Sequence, residues 1–336
     1  MVPRNSGREF RLQQQESHIQ RGTSVLKYFV VGLVAVGWVA ATCSVPSPMF
    51  AQQKGASFSG VQPKEVRVNG VTLSYIERGE GIPVVLVHGT LGDYRTWEGQ
   101  LEPFSKRFRV ISYSRRYHYP NRWPANNSTD FSVTIHARDL AAFIKALKLP
   151  SVHLIGHSYG AAISFLVARD HPEVIRSLTL GEPPLMPLLR MSPEGDALLA
   201  KFMATGIMPS GEAFKKGNDA EGVRRFLNAV LGEGSYEKLP PHLRERMMDN
   251  ARELKGETSS QDLFPPITCE DVQKVRTPTL LLDGSLSPKI FRVINDMLNH
   301  CLPSKERAVI PGASHGLEYE NPQAFNDTVL AFIARH

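Results

Sequence analysis

Cysteine is scarce, with three in 336 residues, so no disulfide framework can carry the fold and no Cys-X-X-Cys pair exists to hold zinc or run thiol exchange. The histidines and carboxylates show no His-Glu-X-X-His or comparable ligand spacing, and no metal is expected. Gly-X-Gly-X-X-Gly and phosphate-cradling glycine-rich loops are missing as well, which removes the usual grounds for a nucleotide cofactor. Lys/Arg clusters interleaved with aromatics do not occur. Of the formal net charge of +6, residues 1–51 supply half, with five Lys/Arg against two Asp/Glu. The remaining 34 Lys/Arg and 31 Asp/Glu leave +3, too little for a nucleic-acid surface. No internal repeat or low-complexity tract interrupts the chain.

Long apolar runs are also lacking, apart from Phe29 to Cys43. That run is short for a membrane-spanning helix, follows a basic segment containing Arg21 and Lys27, and is stopped by Pro46 and Pro48. With Ala51 offering a small residue for cleavage, residues 1–51 read as a secretory signal, or as an uncleaved anchor attached to a membrane through residues 29–45. The protein is accordingly expected to be exported, to a periplasm or outside the cell, or to be membrane-anchored. Removal of the leader would leave Cys269 and Cys301, either joined as one disulfide or present as two buried thiols.

The most informative stretch is Val152-His153-Leu154-Ile155-Gly156-His157-Ser158-Tyr159-Gly160-Ala161-Ala162, an apolar strand running through Gly-X-Ser-X-Gly into a helix. A serine hydroxyl is a poor nucleophile until a sharp strand-to-helix turn lifts it toward a base, and the glycines leave room for that turn and for close helix packing. Ser158 is the candidate nucleophile. Upstream, the strand Pro83–His88 ends in His88-Gly89 with Thr90-Leu91 after it, where a loop can aim the N–H of Thr90 or Leu91 at a developing oxyanion. The N–H of Tyr159 would be the second donor. Near the C-terminus, the strand Glu306–Ile310 runs into Pro311-Gly312-Ala313-Ser314-His315-Gly316, which puts His315 where a general base belongs. His88 and His157 are expected to fix loops beside the site.

With these pieces the chain resembles the α/β-hydrolase superfamily over about Val68 to Arg335, specifically its serine-nucleophile, esterase- and lipase-like branch. The resemblance implies a catalytic acid that orients the histidine. At the usual place, three residues past Gly284, the sequence has Ser287. Two carboxylates preserve the order Ser, acid, His. Glu182 lies in a loop past the strand Ile175–Leu180 with Pro183 and Pro184 after it, and Asp283 sits at the end of the strand Thr279–Leu282. Glu182 is preferred for its loop position, and Asp283 is the alternative.

Strands and helical patterns alternate, implying an α/β fold with a mostly parallel, doubly wound sheet. Val66–Val68 and Val71–Glu77 around Asn69-Gly70 signal a hairpin. The expected organisation is a leader at 1–51, a linker at 52–64, a core in two parts at 65–183 and 276–336, and a helical cap at 184–275. The cap holds six of the nine methionines, which suit either an adaptable apolar pocket or the cap's own interior. The implied activity is hydrolysis of an ester or related acyl compound, with a small apolar substrate and no cofactor, through an acyl-enzyme on Ser158. A C–C or lactone hydrolase with the same nucleophile, or a non-catalytic ligand-binding protein of this fold, is the alternative.

Overall fold

The computed structural model describes residues 61–123, 130–260, 263–264 and 266–336. The leader lies outside the described residues, and no helix among those described is long and apolar enough to cross a membrane.

Eight strands form one sheet in the order β1-β2-β4-β3-β5-β6-β7-β8: β1 Lys64–Val68, β2 Val71–Arg78, β3 Pro83–Val87, β4 Arg109–Tyr113, β5 Val152–His157, β6 Ile175–Gly181, β7 Thr279–Gly284 and β8 Lys305–Ile310. β1 and β2 pair antiparallel through Val68 and Val71. Asn69 and Gly70 between them take φ of 43° and 78°, the left-handed pair that a two-residue hairpin of matching twist demands. β2 meets β4 antiparallel, and from β4 to β8 every pairing is parallel.

The central strands are apolar along their whole length because helices cover both faces of the sheet. Alternate residues serve opposite sides. Val84 and Leu86 pack with Trp97, Phe104 of α1 (Glu98–Ser105) and Phe325 of the C-terminal helix Pro322–Ile333. Val85 and Val87 face the other core with Phe143 of α2 (Val133–Ala146) and Phe165 of α3 (Tyr159–Asp170).

Between β6 and β7 the described chain forms helices and no strand: α4 Pro193–Phe202, α5 Met208–Lys215, α6 Asp219–Leu231, α7 Ser235–Lys238, α8 Pro241–Met248, α9 Ala251–Glu257 and α10 Cys269–Gln273. Phe202, Phe214, Val223, Leu227, Val230 and Leu254 give this insertion an apolar interior continuous with the core of α2 and α3. α11 (Lys289–Cys301) follows β7, and a disulfide joins Cys269 at the start of α10 to Cys301 at its end. The last two helices are α12 (Leu317–Glu320) and α13 (Pro322–Ile333).

Candidate active site

Ser158 stands between β5 and α3 with φ 51° and ψ −125°, a conformation that non-glycine residues adopt only where the surroundings enforce it. The enforcement is visible. A Cβ on Gly160 would come within 2.2 Å of the Val87 carbonyl oxygen, and one on Gly156 within 2.5 Å of the Gly160 oxygen, so only glycine lets α3 begin this close to β3 and β5. The Ser158 N–H donates to the Gly181 carbonyl at 2.8 Å, fixing the turn against the neighbouring strand.

The structure brings Ser158, His315 and Glu182 together. Ser158 Oγ lies 2.9 Å from His315 Nε2, and His315 Nδ1 lies 2.6 Å from Glu182 Oε2. Nδ1–H donating to the carboxylate leaves Nε2 free to accept the serine proton. Burial pushes the His315 imidazole below its ordinary value, opposed by the hydrogen bond and charge of Glu182. Phe291 of α11 stacks on the His315 ring at 3.9 Å between centroids. Glu182 itself takes φ 46° just past β6, and its second oxygen accepts the Gly284 N–H at 2.7 Å.

Asp283 is engaged elsewhere. It accepts from Asn295 Nδ2 at 3.0 Å and from Arg307 Nε at 2.7 Å. The end of β7 therefore meets the histidine's carboxylate with a backbone N–H and turns its own side chain toward α11 and β8.

Of the candidate oxyanion donors, Tyr159 is the first residue of α3, where a backbone N–H has no partner within the helix. Thr90 lines the same cavity as Ser158 and Tyr159. Leu91 follows with φ 62° and a buried side chain, and its carbonyl accepts from Asn250 Nδ2 at 3.3 Å.

Both loop histidines hold the site's backbone. His88 Nδ1–H donates to Gly89 O at 2.8 Å, and its Nε2 accepts the Arg115 N–H at 3.0 Å. His157 donates from Nε2 to the His315 carbonyl at 2.7 Å and lies 3.0 Å through Nδ1 from Glu318 Oε1. Burial is the largest single influence and lowers the His157 pKa, but Glu318, the His315 carbonyl and Glu182 together raise it.

Beside Ser158 opens a narrow cavity of about 30 Å³, walled mainly by Met186, Phe202, Ile207, Phe226, Val230 and Leu254. Of the six methionines in the insertion, Met186 alone is among the described residues lining it. Met191 and Met208 are exposed. Sequence reasoning missed Phe291, the His157–Glu318 pair and two buried glutamates of α9, Glu253 and Glu257. The last had a readable signal, since two acids one helical turn apart repel each other unless something neutralises them.

A model of the alpha/beta hydrolase fold family matches residues 82–322. The chain belongs to that family. It is similar to the (E)-2-((N-methylformamido)methylene)succinate hydrolase of Acinetobacter baylyi, with 23% identity covering 79% of this chain and 95% of the relative. Similarity to the 2-(acetamidomethylene)succinate hydrolase of Mesorhizobium japonicum is 24%, covering 80% and 94%. Among solved structures it resembles Est816, described as an N-acyl homoserine lactone degrading enzyme. The TM-score is 0.64 and identity 24%, over 80% of this chain and all of that one. The family match and the two relatives named as hydrolases support hydrolysis as the chemistry of this chain.

Proposed function

We propose that the protein is a serine hydrolase that cleaves carboxylic esters whose buried part is uncharged and largely apolar. The observation carrying this reading is the run of contacts from Ser158 Oγ through His315 to Glu182, 2.9 and 2.6 Å, opening on the apolar cavity. In the proposed reaction His315 takes the Ser158 proton as Oγ attacks the carbonyl carbon, and the N–H groups of Tyr159 and Thr90 hold the oxyanion. The tetrahedral intermediate collapses, the alcohol leaves with the proton from His315, and an acyl group remains on Ser158. Water, giving its proton to His315, then attacks the acyl carbon. The acid departs and Ser158 regains its proton.

The named relatives from Acinetobacter and Mesorhizobium act on substituted succinates, whose carboxylates call for cationic partners. Among the described residues lining this cavity there is no Lys, Arg or His, which favours an uncharged substrate here. A lactone is an internal ester and fits the same chemistry, in line with the likeness to Est816.

The test pairs p-nitrophenyl esters of increasing acyl length with a fluorophosphonate probe. The parent should turn over the esters and be labelled on Ser158. Ser158→Ala should fold normally, lose labelling and lose at least about 10³-fold in kcat, since only the attacking oxygen is removed. Turnover of Ser158→Ala within a few-fold of the parent would refute the assignment. Labelling without ester turnover would point to C–C hydrolysis, and neither would leave a ligand-binding protein.

A further inference from the structure

Behind the cavity wall lies a charge cluster that the proposed reaction does not use. Glu253 and Glu257, one turn apart on α9, are both buried, at 0% and 2% side-chain exposure. They share one guanidinium: Arg115 Nη1 is 3.4 Å from Glu253 Oε1, and Nη2 is 3.5 Å from Glu257 Oε1. The remaining neighbours of Glu253 are His118 at 3.2 Å and His136 at 3.4 Å. Burial, and after it the Arg115 charge, holds both imidazoles well below their ordinary value, so neither brings a second cation. One positive charge for two carboxyls in a dry interior leaves one of them to keep its proton. Burial raises both, and Glu257 further, since the neighbouring Glu253 adds to burial there.

Glu257 is also the carboxyl that reaches the cavity. It lines the wall with Ser158 and Thr90. Its Oε2 accepts the Thr90 hydroxyl at 2.8 Å, while the buried Oε1 faces Arg115. Apart from the hydroxyls of Thr90, Ser158, Tyr159 and Thr258 the lining is otherwise apolar, and Glu257 is its one carboxyl.

We propose that Glu257 is the specificity-determining residue of the cavity: its carboxyl hydrogen-bonds a neutral polar group on the buried part of the substrate and bars a carboxylate from the same place. The inference rests on the serine-hydrolase reading of this cavity. A substrate carboxylate would meet two acids whose only cation is buried and already engaged. A hydroxyl or amide would instead find a partner in a wall that offers few others.

The experiment uses p-nitrophenyl esters of one acyl length ending in a methyl, a hydroxymethyl, a carboxylate or an ammonium group, with the parent, Glu257→Gln and Glu257→Leu. In the parent, kcat/KM for the carboxylate ester should fall at least about 100-fold below the methyl ester. The hydroxymethyl-to-methyl ratio should be kept by Glu257→Gln, which preserves a neutral hydrogen-bonding group. In Glu257→Leu that ratio should drop about tenfold, the worth of one lost hydrogen bond. A carboxylate ester processed as well as the methyl ester, or an unchanged ratio in Glu257→Leu, would overturn the proposal. So would an ammonium ester preferred by the parent and not by Glu257→Gln, because Glu257 would then be ionised. Fluorophosphonate labelling of Ser158 in each variant reads the nucleophile separately, so failure of the serine-hydrolase reading is told apart from failure at Glu257. Should Glu257→Leu not fold, the parent's discrimination among the four esters and the Glu257→Gln comparison still decide.

Discussion

Glu182 reaches His315 through its backbone. A left-handed φ of 46° swings the residue off the end of β6, and the Gly284 N–H then pins the carboxylate so that its other oxygen faces Nδ1. Asp283, bound to Arg307 and Asn295, serves the sheet edge. Under the proposed mechanism, Glu182→Gln should lower kcat about 10³- to 10⁴-fold, as when an imidazole loses its orienting carboxylate. Asp283→Asn should stay within a few-fold of the parent while lowering Tm. The reverse ranking would move the acid to Asp283. The pH–rate profile carries a second check. His315 must be neutral to act as base, and burial holds its pKa below 6.5 while Glu182 pulls upward. Full rate is therefore expected above that lowered value, with kcat/KM falling as pH drops through it. Removing the Glu182 charge should shift the midpoint further down. A midpoint above 6.5 in the parent would contradict this account.

Strands and the elbow were legible in the sequence because each announces itself locally. Gly156 and Gly160 flank Ser158, Asn69-Gly70 marks the hairpin, and apolar runs mark strands buried on both faces. Glu182 could be read from its place past a strand, although its positive φ and its bond to Gly284 could not. Phe291, by contrast, meets His315 from a helix that follows a different strand, and no local pattern encodes that stacking. The Cys269–Cys301 pairing, left open by spacing alone, follows from packing as well. The end of α11 turns back onto the start of α10, with the two Cα atoms 5.4 Å apart. This bridge ties the end of the helical insertion to the helix that carries Phe291. Cys301→Ser should cost about 2–4 kcal/mol of unfolding free energy, since the bond closes a loop of 32 residues in the unfolded chain. Urea titrations of parent and variant under non-reducing conditions measure it. Equal midpoints would mean that the bridge adds nothing to stability.

Across the whole molecule, the least sequence-legible feature is the polar interior joining the loop after β4 to α9. Arg115, His118 and His136 lie more than 100 residues before Glu253 and Glu257, and read singly each passes for a loop or helix-face residue. Their burial has a consequence for stability against pH. His88, His118 and His136 are each held well below 6.5, chiefly by burial. The unfolded chain takes up protons at these positions as pH falls through about 6.5 and the folded chain does not. Stability present above that pH is lost below it, by up to about 1.4 kcal/mol per pH unit for each group. Glu257 acts in the opposite sense. Its raised folded value means that the folded state holds a proton the unfolded carboxyl releases above about 4.5, so its contribution grows as pH falls. His153 and His315 are lowered too, and His157 and Glu253 are raised, so five imidazoles against three raised groups leave a net loss on the acid side. Urea midpoints should therefore fall steadily from pH 7 to pH 5.5. His136→Asn should flatten that slope by about one proton even if it lowers stability at pH 7, because a group that cannot titrate no longer favours the unfolded chain in acid. Midpoints that hold constant over this range would show that the three imidazoles take up protons without unfolding, and that the interior around Arg115 is not as dry as its burial implies.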